Sequence, residues 1–118
     1  MQVYLRPAPD GPVYGFLVTL VGEHGLRVRP AGESAATPQM VSGAWSRSEG
    51  GYTLSLRIAL PEWSPRGGDT LDFDVLVNEM RPGRVRRAGQ LVWSGGGGWV
   101  YLRGDRQSPE AFGVLELE

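Results

Sequence analysis

Cysteine is absent from the 118 residues of this chain, which excludes disulfide bridges, thiolate metal sites and cysteine nucleophiles. Lysine is absent as well, so the twelve basic residues are all arginines, and with thirteen acidic residues the formal net charge is −1. Domains that bind nucleic acid usually carry a basic excess. We therefore expect no nucleic acid among the partners of this chain.

Long apolar runs are also missing. No stretch approaches the roughly 18 consecutive apolar residues of a membrane-spanning helix. The opening residues MQVYLRPAPDG have neither the basic n-region nor the apolar h-region of a signal peptide. The sequence thus predicts no membrane segment and no signal peptide in this chain. Hydrophobic residues still make up 41% of it, so we expect a single folded domain over residues 1–118, belonging to a longer module or protein.

Apolar residues do not recur at the spacing of an amphipathic helix, but in several segments they alternate with other residues. The clearest is YTLSLRIAL, residues 52–60, which places a tyrosine, three leucines and an isoleucine on one face. The segment TLDFDVLVNE, residues 70–79, alternates similarly, whereas VYGFLVTLV, residues 13–21, is apolar on both faces and predicts a central strand. We expect Tyr52 and Phe73 to lie in the core.

Shorter candidate strands and many turns complete the pattern. The chain has 18 glycines and 9 prolines, which favour turns and short elements. Further candidate strands lie at residues 2–6, 25–29, 40–47, 90–94 and 112–117. Their spacing predicts an all-β fold, an antiparallel β-sandwich with a jelly-roll or immunoglobulin-like arrangement of two sheets, incomplete in this chain.

Candidate catalytic groups are few. His24, the only histidine, lies in the turn sequence GEHG. A Ser–His–Asp site would need an acid and a nucleophile around it, so an exposed loop residue is the favoured interpretation. Glycosidase chemistry needs two carboxylates at a defined separation, and the candidates Asp72, Asp74 and Glu79 all belong to one predicted strand. An enzyme is the least favoured interpretation, and we expect a non-enzymatic domain.

Asp72 and Asp74 are two residues apart on that predicted strand and therefore share one face. The favoured interpretation is a polar face turned to solvent. The alternative is a metal site, since carboxylate oxygens are ligands of hard cations such as a structural calcium ion. No other cofactor is expected.

Two segments in the last third of the chain are candidates for ligand binding. The run RPGRVRR, residues 81–87, is either an exposed hairpin loop, which the net charge favours, or an anion site, and one of its arginines could also donate hydrogen bonds to sugar hydroxyls. Trp99 follows four glycines, and a ring carried by a loop suits the apolar face of a pyranose. The alternative is that Trp99 folds back on the sandwich edge. Trp45 and Trp93 are predicted core residues.

The order of these segments resembles the C-terminal half of the family 9 carbohydrate-binding modules. The resemblance rests on FDVLVNE (73–79), GQLVWS (89–94), Trp99 and SPEAFGVLEL (108–117), preceded by GYTLSLRIALPEWS (51–64) and QVYLRPAPDGPVYGFLV (2–18). It implies a secreted or cell-envelope β-sandwich that binds sugars, often chain ends, without catalysis, attached to a glycoside hydrolase, with structural calcium in some members. It also implies that Trp99 is the stacking residue, and we expect Tyr101, Arg87 and Asn78 as its polar partners.

Two departures from the family pattern favour a different function. Members commonly carry a polar residue where Leu76 stands, and the first half of the module, which supplies the opposing tryptophan, has no counterpart in this chain. A sandwich lacking those strands would expose the apolar face of residues 52–60, and such patches usually pair with something. We therefore predict a homodimer through the uncovered sheet. The alternative function is a structural interaction domain of a larger bacterial envelope or secreted protein, without sugar binding.

Overall fold

A computed structural model describes residues 1–32, 34–61, 63–80, 87–93 and 112–117, and for residues 78–80 and 87–92 it describes the backbone. The secondary structure of these residues is almost entirely β, with one 3-10 turn at Pro38–Met40. The strands are β1 (Gln2–Arg6), β2 (Tyr14–Val21), β3 (Gly25–Pro30), β4 (Val41–Ser48), β5 (Gly51–Ile58), β6 (Thr70–Met80), β7 (Arg87–Val92) and β8 (Gly113–Glu116). The predicted strands are confirmed, with ends shifted by a few residues.

The strands form two antiparallel sheets, which confirms the predicted two-sheet β-sandwich. The larger sheet has the order β3-β2-β1-β6-β7, with β8 also paired to β6, and the smaller is the β4–β5 hairpin. β1 lies along one edge of β6. β8 and β7 follow each other along its other edge, since β8 pairs with residues 70–73 and β7 with residues 76–80.

The main core lies between the large sheet and the hairpin. Alternate residues of β1 and β2 supply its centre, including Val3, Leu5, Phe16 and Val18, and Leu56 and Ile58 of β5 pack against it. The apolar face of β5 is therefore partly covered within the chain, which corrects the prediction that the whole face would be exposed. Tyr52 is the exception on that face. It lies at the hairpin end and is 46% exposed, so its predicted core position is also wrong.

The centre of the opposite face of the large sheet is buried as well. Tyr4 and Leu76 form a second apolar cluster there with Ala31, and Phe112 packs against it. This double coverage explains why residues 13–21 are apolar on both faces, because polar side chains on either side would lose their hydration. It also corrects the expected solvent-facing side of β6, since Asp74 on that side is fully buried.

The hairpin is anchored to the turn between β2 and β3. The backbone N–H of Trp45 donates to the His24 carbonyl at 3.2 Å, and His24 Nδ1 donates to the Trp45 carbonyl at 2.8 Å. The indole Nε1 of Trp45 adds a 3.3 Å hydrogen bond to the Val21 carbonyl. Trp45 is buried, as predicted, and His24 is an exposed turn residue, as predicted. These bonds place the hairpin toward the β3 edge of the large sheet.

Candidate functional site

The predicted sugar-binding residues are described to different extents. Trp99 and Tyr101 lie outside the described residues. Asn78 and Arg87 belong to strands whose backbone is described, with Asn78 opposite Gln90 and Met80 opposite Arg87. Pairing of β6 with β7 therefore brings Asn78 and Arg87 to the same end of these two strands. Residues at one strand end could contact the same ligand.

Trp93 is a large aromatic side chain that the structure places at the surface, at the end of β7 opposite to Arg87. It directly follows β7, and its backbone N–H donates to the Val75 carbonyl at 2.9 Å. Its indole is 52% exposed, so the prediction of a core position is wrong. The physical reason is its place at the sheet edge opposite β3, whereas the two-stranded hairpin is anchored toward β3.

The exposed indole of Trp93 is held by two contacts. It meets the ring of Phe73 edge to face, with centroids 5.3 Å apart and an interplanar angle of 78°. It also lies directly against Gly113, where a Cβ atom would be only 2.6 Å from Cζ3 of the indole. Phe73 packs against the main core. The indole thus packs on the sheet through Phe73 and Gly113 while about half of its surface remains open to solvent.

Asp72 is already committed to an ion pair. Its Oδ2 accepts a hydrogen bond from Nε of Arg6 at 2.9 Å and lies 2.7 Å from a terminal guanidinium nitrogen in the same ion pair. The pair is cross-strand, since Arg6 of β1 lies opposite Asp72 of β6. Both side chains are partly exposed. A calcium ion at Asp72 would have to displace Arg6 or share the carboxylate with it.

Asp74 lies on the same face of β6, opposite Tyr4 of β1. Its carboxylate is fully buried, and Oδ1 accepts a hydrogen bond from the Val75 N–H at 3.0 Å. The described residues hold no group of three or more His, Asp or Glu side chains placed to share a metal ion. Metal binding by Asp72 and Asp74 stays a prediction.

Two shallow depressions flank the hairpin. One, of about 460 Å³, lies between the β2–β3 turn and β4, and is lined by His24, Trp45 and Arg47 among others. The second, of about 390 Å³, is mostly apolar and lies beside Tyr52, Leu20 and Val77. In the second depression the exposed ring of Tyr52 faces the same side of β6 that carries Phe73 and Val75.

Comparisons with known proteins identify no relative of this chain. No family model matches the chain, and neither a curated protein nor a solved structure matches it significantly. Within the described ranges, no helix has the length and apolar character that crossing a membrane requires. The proposals below therefore depend on the residues of this chain.

Proposed function

We propose that this chain is a non-catalytic domain that binds carbohydrate by aromatic stacking. The observation that carries the proposal is the half-exposed indole of Trp93, which packs edge to face on Phe73 of an antiparallel sheet. A flat apolar ring packs on the apolar face of a pyranose, while nearby polar groups bind the hydroxyls. A ring held in place before binding loses little side-chain entropy when the sugar arrives.

The predicted residues complete this site in the proposal. Trp99 supplies a second stacking ring six positions after Trp93. Tyr101, Arg87 and Asn78 supply hydrogen bonds to hydroxyls, because phenol, guanidinium and amide groups offer donors and, for tyrosine and asparagine, acceptors. The pairing of β6 with β7 supports the joint use of Asn78 and Arg87 with each other, toward the end of β7 away from Trp93, so the proposed site extends along the strand.

The candidate catalytic groups Asp72, Asp74 and His24 have structural roles that support a function without catalysis. Asp72 is bonded to Arg6, Asp74 is buried on a backbone N–H, and His24 holds the hairpin through Trp45. Each of these groups has a structural partner that a general acid or base would need to release. By the family resemblance, we further propose a secreted or cell-envelope location in a protein that carries a glycoside hydrolase, with calcium as a structural ion if one binds.

Calorimetric titration with a panel of neutral and acidic mono- and oligosaccharides tests the proposal. We expect Trp93→Ala and Trp99→Ala each to weaken binding about ten-fold, since a ring contact contributes roughly 0.5–1.5 kcal/mol beyond the area it buries. Val114→Ala is the matched control, because Val114 is 65% exposed and pairs with Asp72, away from the Trp93 side of β6. Binding of no saccharide by the native chain would overturn the proposal.

The second candidate function is protein packing without sugar binding. It is favoured by the apolar depression at Tyr52, where a large side chain is 46% exposed beside Leu20 and Val77. A second copy of the chain that covered this surface would bury the ring and form the predicted homodimer.

Sedimentation velocity separates the two functions. If packing is the function, the native chain forms dimers as its concentration rises, and Tyr52→Glu returns it to a monomer because a charge cannot be buried there without a partner. Thr53→Glu is the control, since Thr53 is an exposed neighbour on the other face of β5. A monomer at every concentration would exclude the homodimer.

A further inference from the structure

Three strands meet where Trp93 lies. β7 ends one residue before Trp93, β8 begins with Gly113, and both follow the same edge of β6. Gly113 is paired with Phe73, and Trp93 is hydrogen-bonded to Val75 two residues further along. The indole therefore lies across the junction between the end of β7 and the start of β8.

The fit at Gly113 is closer than any other residue would permit. A Cβ atom would lie 2.6 Å from Cζ3 of Trp93, and 3.3 and 3.4 Å from the neighbouring ring atoms Cε3 and Cη2. Carbon atoms that are not bonded pack at about 3.5–4.0 Å. Any side chain at this position would push the indole out of its present orientation.

Glycine is otherwise a poor choice here. It opens a strand of only four residues, and glycine weakens strands because it loses more backbone entropy on folding than other residues. Phe73 supplies the second contact and is itself packed against the main core. Gly113 thus leaves room for one orientation of the Trp93 ring, although a glycine lowers the intrinsic stability of β8.

We propose that Gly113 and Phe73 are positioning residues, which hold the Trp93 indole in its ligand-binding orientation before the ligand arrives. This inference rests on the proposed function, because holding the Trp93 ring in place affects binding only if Trp93 contacts a saccharide. Preorganisation increases affinity by removing the entropy cost of ordering the ring during binding.

Fluorine NMR of the chain labelled with 5-fluorotryptophan tests the placement of the ring. The chain has four tryptophans, and Trp93→Phe identifies the Trp93 resonance by its loss. We expect Gly113→Ala to shift that resonance and leave Trp45 unchanged. Gly51→Ala is the matched control, because a Cβ atom at Gly51 would meet nothing within 4 Å. An unchanged Trp93 resonance in Gly113→Ala would overturn the inference.

A double-mutant cycle tests the steric reason. In the native background, Gly113→Ala is expected to lower the urea concentration at the unfolding midpoint. In a Trp93→Ala background the same change should raise that midpoint, since alanine suits a strand better than glycine once the ring is absent. A change of the same sign in both backgrounds would mean that Gly113 does not act through Trp93.

The affinity for a saccharide that the native chain binds tests the functional role. We expect Gly113→Ala to weaken binding about five-fold, with Phe73→Leu acting in the same direction and Gly51→Ala having no effect. Equal affinities of the native chain and Gly113→Ala would overturn the positioning role alone. If the native chain binds no saccharide, the proposed function fails and the positioning role fails with it, even where the NMR shift is seen.

Discussion

Replacing Phe16 with alanine is expected to lower the free energy of unfolding by about 3–5 kcal/mol. Phe16 is fully buried at the centre of the main core, where it packs between the large sheet and the hairpin. Alanine would remove a whole ring and leave a cavity, because the strands on both sides are tied by their backbone hydrogen bonds and cannot close over it. Urea unfolding followed by circular dichroism measures the change.

Tyr52→Ala is the matched control for Phe16→Ala. It also removes an aromatic ring from a strand, but Tyr52 is 46% exposed, so we expect a loss below about 1.5 kcal/mol. A loss at Phe16 as small as the one expected at Tyr52 would show that the main core does not centre on Phe16. A loss at Tyr52 as large as that at Phe16 would also indicate that Tyr52 is buried in solution, as in a dimer.

Gly15→Ala is expected to lower the free energy of unfolding by about 1–3 kcal/mol through overpacking of the opposite face. A Cβ atom at Gly15 would lie 2.9 Å from the Ala31 carbonyl oxygen and 2.9 Å from Cε1 of Tyr4. The Ala31 side cannot yield easily, since the Ala31 N–H donates to the Gly15 carbonyl at 2.9 Å. Tyr4 is 4% exposed and has little room to turn away.

Gly51→Ala is the control for Gly15→Ala and is expected to be neutral or slightly stabilising, because Gly51 lies in open space on a strand. Urea midpoints of the two variants give the comparison directly. A stabilised Gly15→Ala would mean that the Tyr4 side of the sheet is loosely packed. Since Gly15 and Phe16 are neighbours on β2 that face opposite sides, the two experiments together test whether the large sheet is buried on both faces.

Local patterns predicted most of the strands. Alternation in residues 52–60 correctly placed Leu56 and Ile58 toward the core, and the two-sided apolar run at residues 13–21 correctly predicted a central strand, since β2 lies between β1 and β3. These patterns succeed because the side chains of a strand point alternately to its two faces, so that burial of a face is recorded in residues close together in the chain.

The same patterns failed for Tyr52 and Trp93. Alternation assigns each ring to a face. Trp93 contacts Phe73, which packs against the core, and Tyr52 shares its face of β5 with Leu56 and Ile58. The alternation pattern does not indicate how much of the large sheet the β4–β5 hairpin covers. The hairpin has two strands and is anchored toward β3, so residues at the hairpin end and at the opposite sheet edge keep exposed rings.

The sequence by itself determined the β-rich class, the positions of the strands and the exclusion of thiol chemistry, because composition and alternation are local properties of the chain. The tertiary structure decided three other features: the burial of Asp74, the ion pair of Asp72 with Arg6, and the contact of Trp93 with Gly113. Each depends on which strands become neighbours and in which register. Pairing across β6 joins residues that are far apart in the chain. A local alternation pattern contains no information about which strands pair or in which register.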